Sequence, residues 1–175
     1  GLFYEWCTNV PMVLVPTPAQ VERMGPGRLD DRLVAHADIM PTLLDMCDIP
    51  IPSSVEGISM VGDLTRDHLY GELGEGSTAS RMVVDGHNKL IYYPVGNHCQ
   101  LFDLQNDPNE MNDVADEPTY SEIKSCLLEL LLNNLYGTDL KWIENGNLVG
   151  LPDMERTEIY DYNPTFGNAR GYRIR

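Results

Sequence analysis

The chain has 175 residues, enough for one ordinary domain or for a small domain carrying part of another. A hydrophobic share of 42% with 22% charged residues is that of a globular protein and excludes disorder along the whole length. A formal net charge of −15 argues against nucleic acid and against an anionic membrane as partners, and an anionic substrate would need a local cationic or metal site to override that field.

The opening residues, Gly1 to Pro16, hold neither a basic leader nor an apolar run long enough for a signal peptide or a membrane span. They begin in mid-pattern, so the chain reads as a piece of a longer protein and its cellular address stays open. Cys7, Cys47, Cys99 and Cys126 are too far apart for a close-spaced zinc or redox motif. Read as free thiols, they mildly favour a reduced, cytoplasmic setting.

Pro11-Met-Val-Leu-Val-Pro16 is a continuous apolar run bracketed by prolines, which predicts a strand buried on both faces of an α/β sheet. From Val21 to Asp31, two glycines and a proline among charges predict a loop. Asp38 then opens a short amphipathic helix, with Ile39, Leu43, Leu44 and Cys47 at helical spacing and Pro41 in the tolerated first turn. The proline-rich stretch from Ile49 to Gly57 stops it, and a boundary is placed near residue 65.

Beyond that boundary, four runs rich in β-branched and aromatic residues start at His68, Arg81, Lys89 and Gln100. Asp85-Gly86 and Gly96-Asn97 are dipeptides that reverse a chain between antiparallel strands, so a meander is predicted. Asp103 to Glu117 carries six acidic residues, but Pro108 and Val114 stand where a calcium loop needs Gly and Glu, which favours Asx-type turns. Thr119 with Glu122 forms a capping-box pattern ahead of a broad apolar face from Ile123 to Leu135, with Gly137 as the stop. The tail from Thr138 lacks periodicity, yet Trp142, Phe166 and its tyrosines argue that it packs.

No Gly-rich phosphate loop, no paired His at helical spacing and no Gly-x-Ser-x-Gly elbow is present. His36, His68, His87 and His98 lie in four different segments with no nucleophile motif beside them, so structural or surface roles are expected. A carboxylate pair cannot be singled out among 27 acidic residues.

Two blocks carry a resemblance. Met40-Pro-Thr-Leu-Leu-Asp, followed by the linker and Val55-Glu-Gly-Ile-Ser, resembles the segment that follows the catalytic α/β core of sulfatases. Asp85-Gly-His-Asn-Lys-Leu-Ile-Tyr and Gln100-Leu-Phe-Asp-Leu-Gln-Asn-Asp-Pro-Asn-Glu-Met-Asn-Asp-Val-Ala are similar to the signature of the sulfatase C-terminal subdomain, in order and at matching spacing. Leu2 to Trp6 and Val10 to Val15 resemble a late strand of the family's large sheet.

The resemblance implies an α+β fold. A small antiparallel sheet would pack against a long C-terminal helix, preceded by a strand and a short helix left over from an alkaline-phosphatase-like catalytic domain. The implied division is 1–65 catalytic remnant and linker, 66–137 C-terminal subdomain, and 138–175 extension. It also implies a parent enzyme that hydrolyses sulfate esters with formylglycine and a divalent metal, calcium by expectation.

The formylglycine motif Cys/Ser-x-Pro-x-Arg is not met at Cys7, which Thr-Asn-Val-Pro follows, and the family's second lysine would fall just before Gly1. No catalytic residue and no metal ligand is therefore carried over, and the chain alone is expected to be inactive and to bind no cofactor. Loops on a rigid sheet are where specificity varies, so Tyr93, Asn97 and His98 of the hairpin, with Arg170 of the tail, are the expected substrate rim. The expected partner is the rest of the catalytic domain, with a homo-oligomer as a further possibility. Two alternatives stand beside this reading: a stand-alone dimerisation module, and part of a phosphodiesterase or phosphonate hydrolase of the same superfamily.

Overall fold

A computed structural model describes residues 3–27, 29–63 and 65–152. Its centre is a four-stranded antiparallel meander in the order β1 (Leu69–Leu73), β2 (Ser80–Val84), β3 (Asn88–Tyr93) and β4 (His98–Asp103). The turns are those the dipeptides predict. Gly86 has φ +94° while Asp85 Oδ1 accepts the His87 and Asn88 amides, and Gly96 and Asn97 have φ +75° and +47°. Register pairs Leu90 with Val83 and Leu101, so every second side chain points to one face.

That face is the core. Val83, Leu90, Tyr92 and Leu101 meet Leu127, Leu131 and Leu135 from the long helix and its C-cap, with Trp142 in the same cluster. The helix α4 runs Ser121–Asn134. The predicted Thr119 capping box does not form. Pro118 already starts a 3₁₀ turn over Pro118–Tyr120, so Thr119 lies inside that turn, and no side chain caps α4. Gly137 is left-handed at φ +60° but opens a further 3₁₀ segment, Gly137–Trp142, which delivers Trp142 to the core at 2% exposure. A two-residue hairpin, β5 (Ile143–Glu144) with β6 (Asn147–Leu148), follows.

The opposite face of the sheet is covered by the start of the chain. The Tyr4 ring stands edge-on to Phe102 at 5.8 Å, and Phe3 lies over Gly71, where a Cβ would come within 2.9 Å of its ring. Glu5–Thr8 forms a helical turn, α1, which corrects the expectation of strand from Leu2 to Trp6.

Two further expectations are corrected. Pro11 to Pro16 is not assigned as strand, and Val13 and Val15 are each 82% exposed, because a strand needs a ladder partner and the described residues offer none. The loop predicted from Val21 begins as helix: α2 spans Pro18–Met24, with Pro18 at the favoured first position and the Thr17 amide donating to Gln20 Oε1 at 2.8 Å. Gly25, at φ +78°, ends it.

The helix α3 (Ile39–Met46) is where the sequence places it, with Pro41 and Thr42 buried. Asp38, 1% exposed, joins it to the linker. Its carboxylate accepts the Ala35 and Ile58 amides at 2.7 and 2.8 Å and pairs with Arg66 at 2.5 Å. Gly57 permits this approach, since a Cβ there would lie 2.0 Å from the Ala37 carbonyl oxygen. The acidic stretch after β4 is held by Asx-type turns: Asp103 Oδ1 accepts the Gln105 and Asn106 amides, and Asp107 Oδ2 accepts that of Asn112.

Candidate functional site

The β3–β4 hairpin brings three of the four predicted rim residues together. Tyr93 and His98 are a register pair whose rings stack at 6.2 Å and 20°. The Tyr93 hydroxyl donates to Gln100 Oε1 at 3.1 Å, and the Tyr4 hydroxyl donates to the same oxygen at 2.8 Å. Burial first, then neighbouring Tyr4, pushes the Tyr93 phenol above its ordinary range, so it stays a neutral donor. His98 is exposed.

Asn97 has a different part. Its Oδ1 accepts the Tyr92 hydroxyl at 2.9 Å, and its Nδ2 donates to the Leu148 carbonyl at 3.0 Å. One end of the amide thus closes the hairpin on itself and the other ties it to β6. Burial, with Cys99 second, pushes the Tyr92 phenol up to about 12. The clasp is completed by Leu151, whose amide donates to the Pro94 carbonyl at 2.6 Å, beside Gly150 at φ +63°. Arg170 lies outside the described residues.

Sequence reasoning missed two buried cations. Lys89, 1% exposed, puts its ammonium between the carboxylates of Glu5 and Glu110, with Glu110 Oε1 at 3.0 Å, and donates to Thr8 Oγ1 at 3.2 Å. Glu110 Oε2 also accepts the Glu5 backbone amide at 2.6 Å. A cation held by two carboxylates and a hydroxyl is fully partnered, so Lys89 is an anchor for α1 and not a free base or nucleophile. It lies on the same face of β3 as Tyr93, and the two side chains with Tyr4 and Gln100 make one polar seam under the first residues of the chain.

Arg81 is on the core face. Its Nε donates to Asp139 Oδ2 at 2.6 Å, one Nη donates to the carbonyls of Leu73, Gly74 and Ser80, and its guanidinium lies 5.1 Å from the Trp142 ring centre. It borders a cavity of about 370 Å³ whose other charged walls, Glu72, Glu75 and Asp139, are acidic. The available signal for both residues was a charge at the head of an otherwise apolar strand, Lys-Leu-Ile-Tyr-Tyr and Arg-Met-Val-Val.

Cys99 is half-buried and burial raises its thiol pKa, which disfavours the reactive thiolate. Among the described residues no three His, Cys, Asp or Glu side chains converge to hold a metal ion. None of their helices is long and apolar enough to cross a membrane.

Against known proteins, residues 1–136 match the family described as N-sulphoglucosamine sulphohydrolase, C-terminal. An arylsulfatase of Clostridium perfringens is 29% identical over 155 residues, covering 85% of this chain and 32% of that one. The chain therefore spans about a third of that relative's length. A solved 2-O GAG sulfatase superimposes with a TM-score of 0.51 at 28% identity, over 55% of this chain and 23% of its own. The phosphonate monoester hydrolase of Agrobacterium radiobacter, at 21% identity and a TM-score of 0.50 over 65% of this chain and 27% of its own, shares the fold.

Proposed function

Because the chain belongs to the family of N-sulphoglucosamine sulphohydrolase C-terminal regions, we propose that it is the C-terminal part of a sulfatase and frames an active centre whose reacting groups lie upstream. The match over residues 1–136, running from the first turn through the meander to the end of α4, carries this reading. In it, the formylglycine and the divalent metal, calcium, belong to the upstream portion. The described residues bring no three metal-ligating side chains together, so the metal's ligands are sought upstream.

What this chain contributes is position. The Lys89 anchor and the Tyr4–Gln100–Tyr93 hydrogen bonds hold the entering chain on the rigid sheet. The hairpin rim of Tyr93, Asn97 and His98, together with Arg170, meets the substrate, with Asn97 acting through the shape of the turn it clasps. The free thiols suit a reducing compartment.

The test compares residues 1–175 with the intact polypeptide that carries them, using an aryl sulfate in the presence of calcium. Turnover by the intact polypeptide and none by the shorter chain is expected. A phosphonate monoester hydrolase is the second reading, supported by the shared fold alone. Cleavage of an aryl phosphonate monoester with the sulfate left untouched would replace the first reading by the second.

A further inference from the structure

The tip of the β3–β4 hairpin, Pro94 to Asn97, is held from outside the sheet. Residues 148–151 run beside it as a strap. The Leu151 amide donates to the Pro94 carbonyl at 2.6 Å, the Gly96 amide donates to the Leu151 carbonyl at 3.1 Å, and Val95 forms a parallel bridge with Leu151. Asn97 Nδ2 adds its bond to the Leu148 carbonyl. The strap is itself tied down: the Val149 and Gly150 amides donate to the Trp142 carbonyl at 2.7 and 3.2 Å, and Trp142 is in the core. Gly150 has no room for a side chain. A Cβ there would lie 2.3 Å from the Pro94 carbonyl oxygen, 3.0 Å from the Tyr92 hydroxyl and 3.1 Å from the Asn97 Cα, and its φ of +63° disfavours any other residue.

We propose that Gly150 and Leu151 are positioning residues for substrate specificity: the strap fixes the hairpin tip, and the tip selects among sulfate esters by the group that extends beyond the ester. The inference rests on reading the tip as part of the substrate rim, and it places the determinant in a second segment that is not itself rim. Sheet register ends at the Tyr93–His98 pair, and within the turn only the Asn97 amide, on the Pro94 carbonyl at 3.1 Å, and the Tyr92 hydroxyl, on Asn97 Oδ1, cross it. The remaining bonds of the tip come from the strap. The family match ends at residue 136, so the strap lies outside the matched region and can differ while the meander stays the same. A tip pinned in advance loses little freedom when an extended substrate docks on it, whereas a loose tip must be ordered on binding.

The test uses the intact polypeptide with two probes: phenyl sulfate, which offers little beyond the ester, and a monosulfated disaccharide, which extends past it. Gly150→Ala should leave kcat/KM for phenyl sulfate within about twofold and lower that for the disaccharide at least about fivefold, through KM. Leu151→Pro removes the amide that meets the Pro94 carbonyl and should act in the same direction. Hydrogen exchange on the same samples reads the tip itself: the Gly96 amide should exchange at least about tenfold faster, with the β2 and β3 peptides protected as before.

An unchanged ratio between the two probes overturns the proposal whether both rates hold or both fall, because a merely structural strap would move them together. Loss of β2 and β3 protection in both variants overturns it as well, since the strap would then support the meander and not the tip. A polypeptide that takes phenyl sulfate and never the disaccharide also counts against it, because the rim would have no extended substrate to sort. Turnover of neither ester by the unsubstituted polypeptide is a separate failure: it removes the sulfatase reading, and this inference with it.

Discussion

In the sheet and α4, Val83, Leu90, Leu101 and Leu131 have no exposure at all, whereas Val13, Val15 and Leu29 are 82%, 82% and 96% exposed. Both regions have defined local structure, but for different reasons. The meander and α4 are held by a shared apolar core, in which each side chain's burial depends on the others. The region ahead of the sheet is held by polar contacts: the Thr17–Gln20 start of α2 within one turn, and the Arg23 bridges and the Asp38 node between its segments. Polar contacts can shape a chain without enclosing its apolar side chains.

The largest expected effect lies in the first of these regions to be named. Asp139→Ala leaves Arg81 charged and buried at 3% exposure, which should cost about 3–5 kcal/mol in urea unfolding of residues 1–175. Arg81→Met with Asp139→Leu removes both charges and should recover most of that loss. If Asp139→Ala shifts stability by less than about 1 kcal/mol, the meander, α4 and the Gly137–Trp142 segment are not one tightly coupled unit.

The contrast also explains what the sequence could and could not show. The meander was legible because alternation and the Asp85-Gly86 and Gly96-Asn97 turns are local signals, and α4 because its apolar face repeats within the helix. The pairs Arg81–Asp139 and Lys89–Glu5 join residues 58 and 84 positions apart, and nothing local announces such a meeting. The Pro11–Pro16 run was misread for the opposite reason. Its pattern is that of a buried strand, but a strand exists only with its neighbours, and here it has none among the described residues. The hairpin site was partly legible: Asn97 was named for its loop, while its clasp on Tyr92 and Leu148 depends on β6 packing back, which composition does not reveal.

A smaller effect is expected at the joint between the regions. Burial alone would raise the Asp38 pKa, but the Ile58 and Ala35 amides and the Arg66 guanidinium outweigh it and hold the carboxyl below its ordinary value. The unfolded chain then binds more protons, so this contribution is complete above the unfolded pKa of about 3.9 and is lost as pH falls through the lower folded value. Asp38→Asn should cost about 1–3 kcal/mol at neutral pH and flatten the acid-side slope. Hydrogen exchange of the Ala35 and Ile58 amides measured at several pH values checks this directly. An unchanged slope would mean that Asp38 does not couple the linker to the helix.

The smallest effect should come from Val13→Ser. With 82% of the residue already exposed, there is almost no apolar area to lose, and residues 1–175 should keep their stability within about 0.5 kcal/mol. The same substitution in the intact polypeptide should cost about 1–3 kcal/mol if the run is buried there, because the valine would then leave a filled site. The two measurements together ask whether the exposure of Val13 belongs to the residue or to the absence of its neighbours. A loss of that size in residues 1–175 would show the run already packed within this chain and would erase the contrast between the regions. Equal small losses in both would leave Val13 on the surface of the whole enzyme, and the resemblance of Pro11–Pro16 to a sheet strand would be one of composition only.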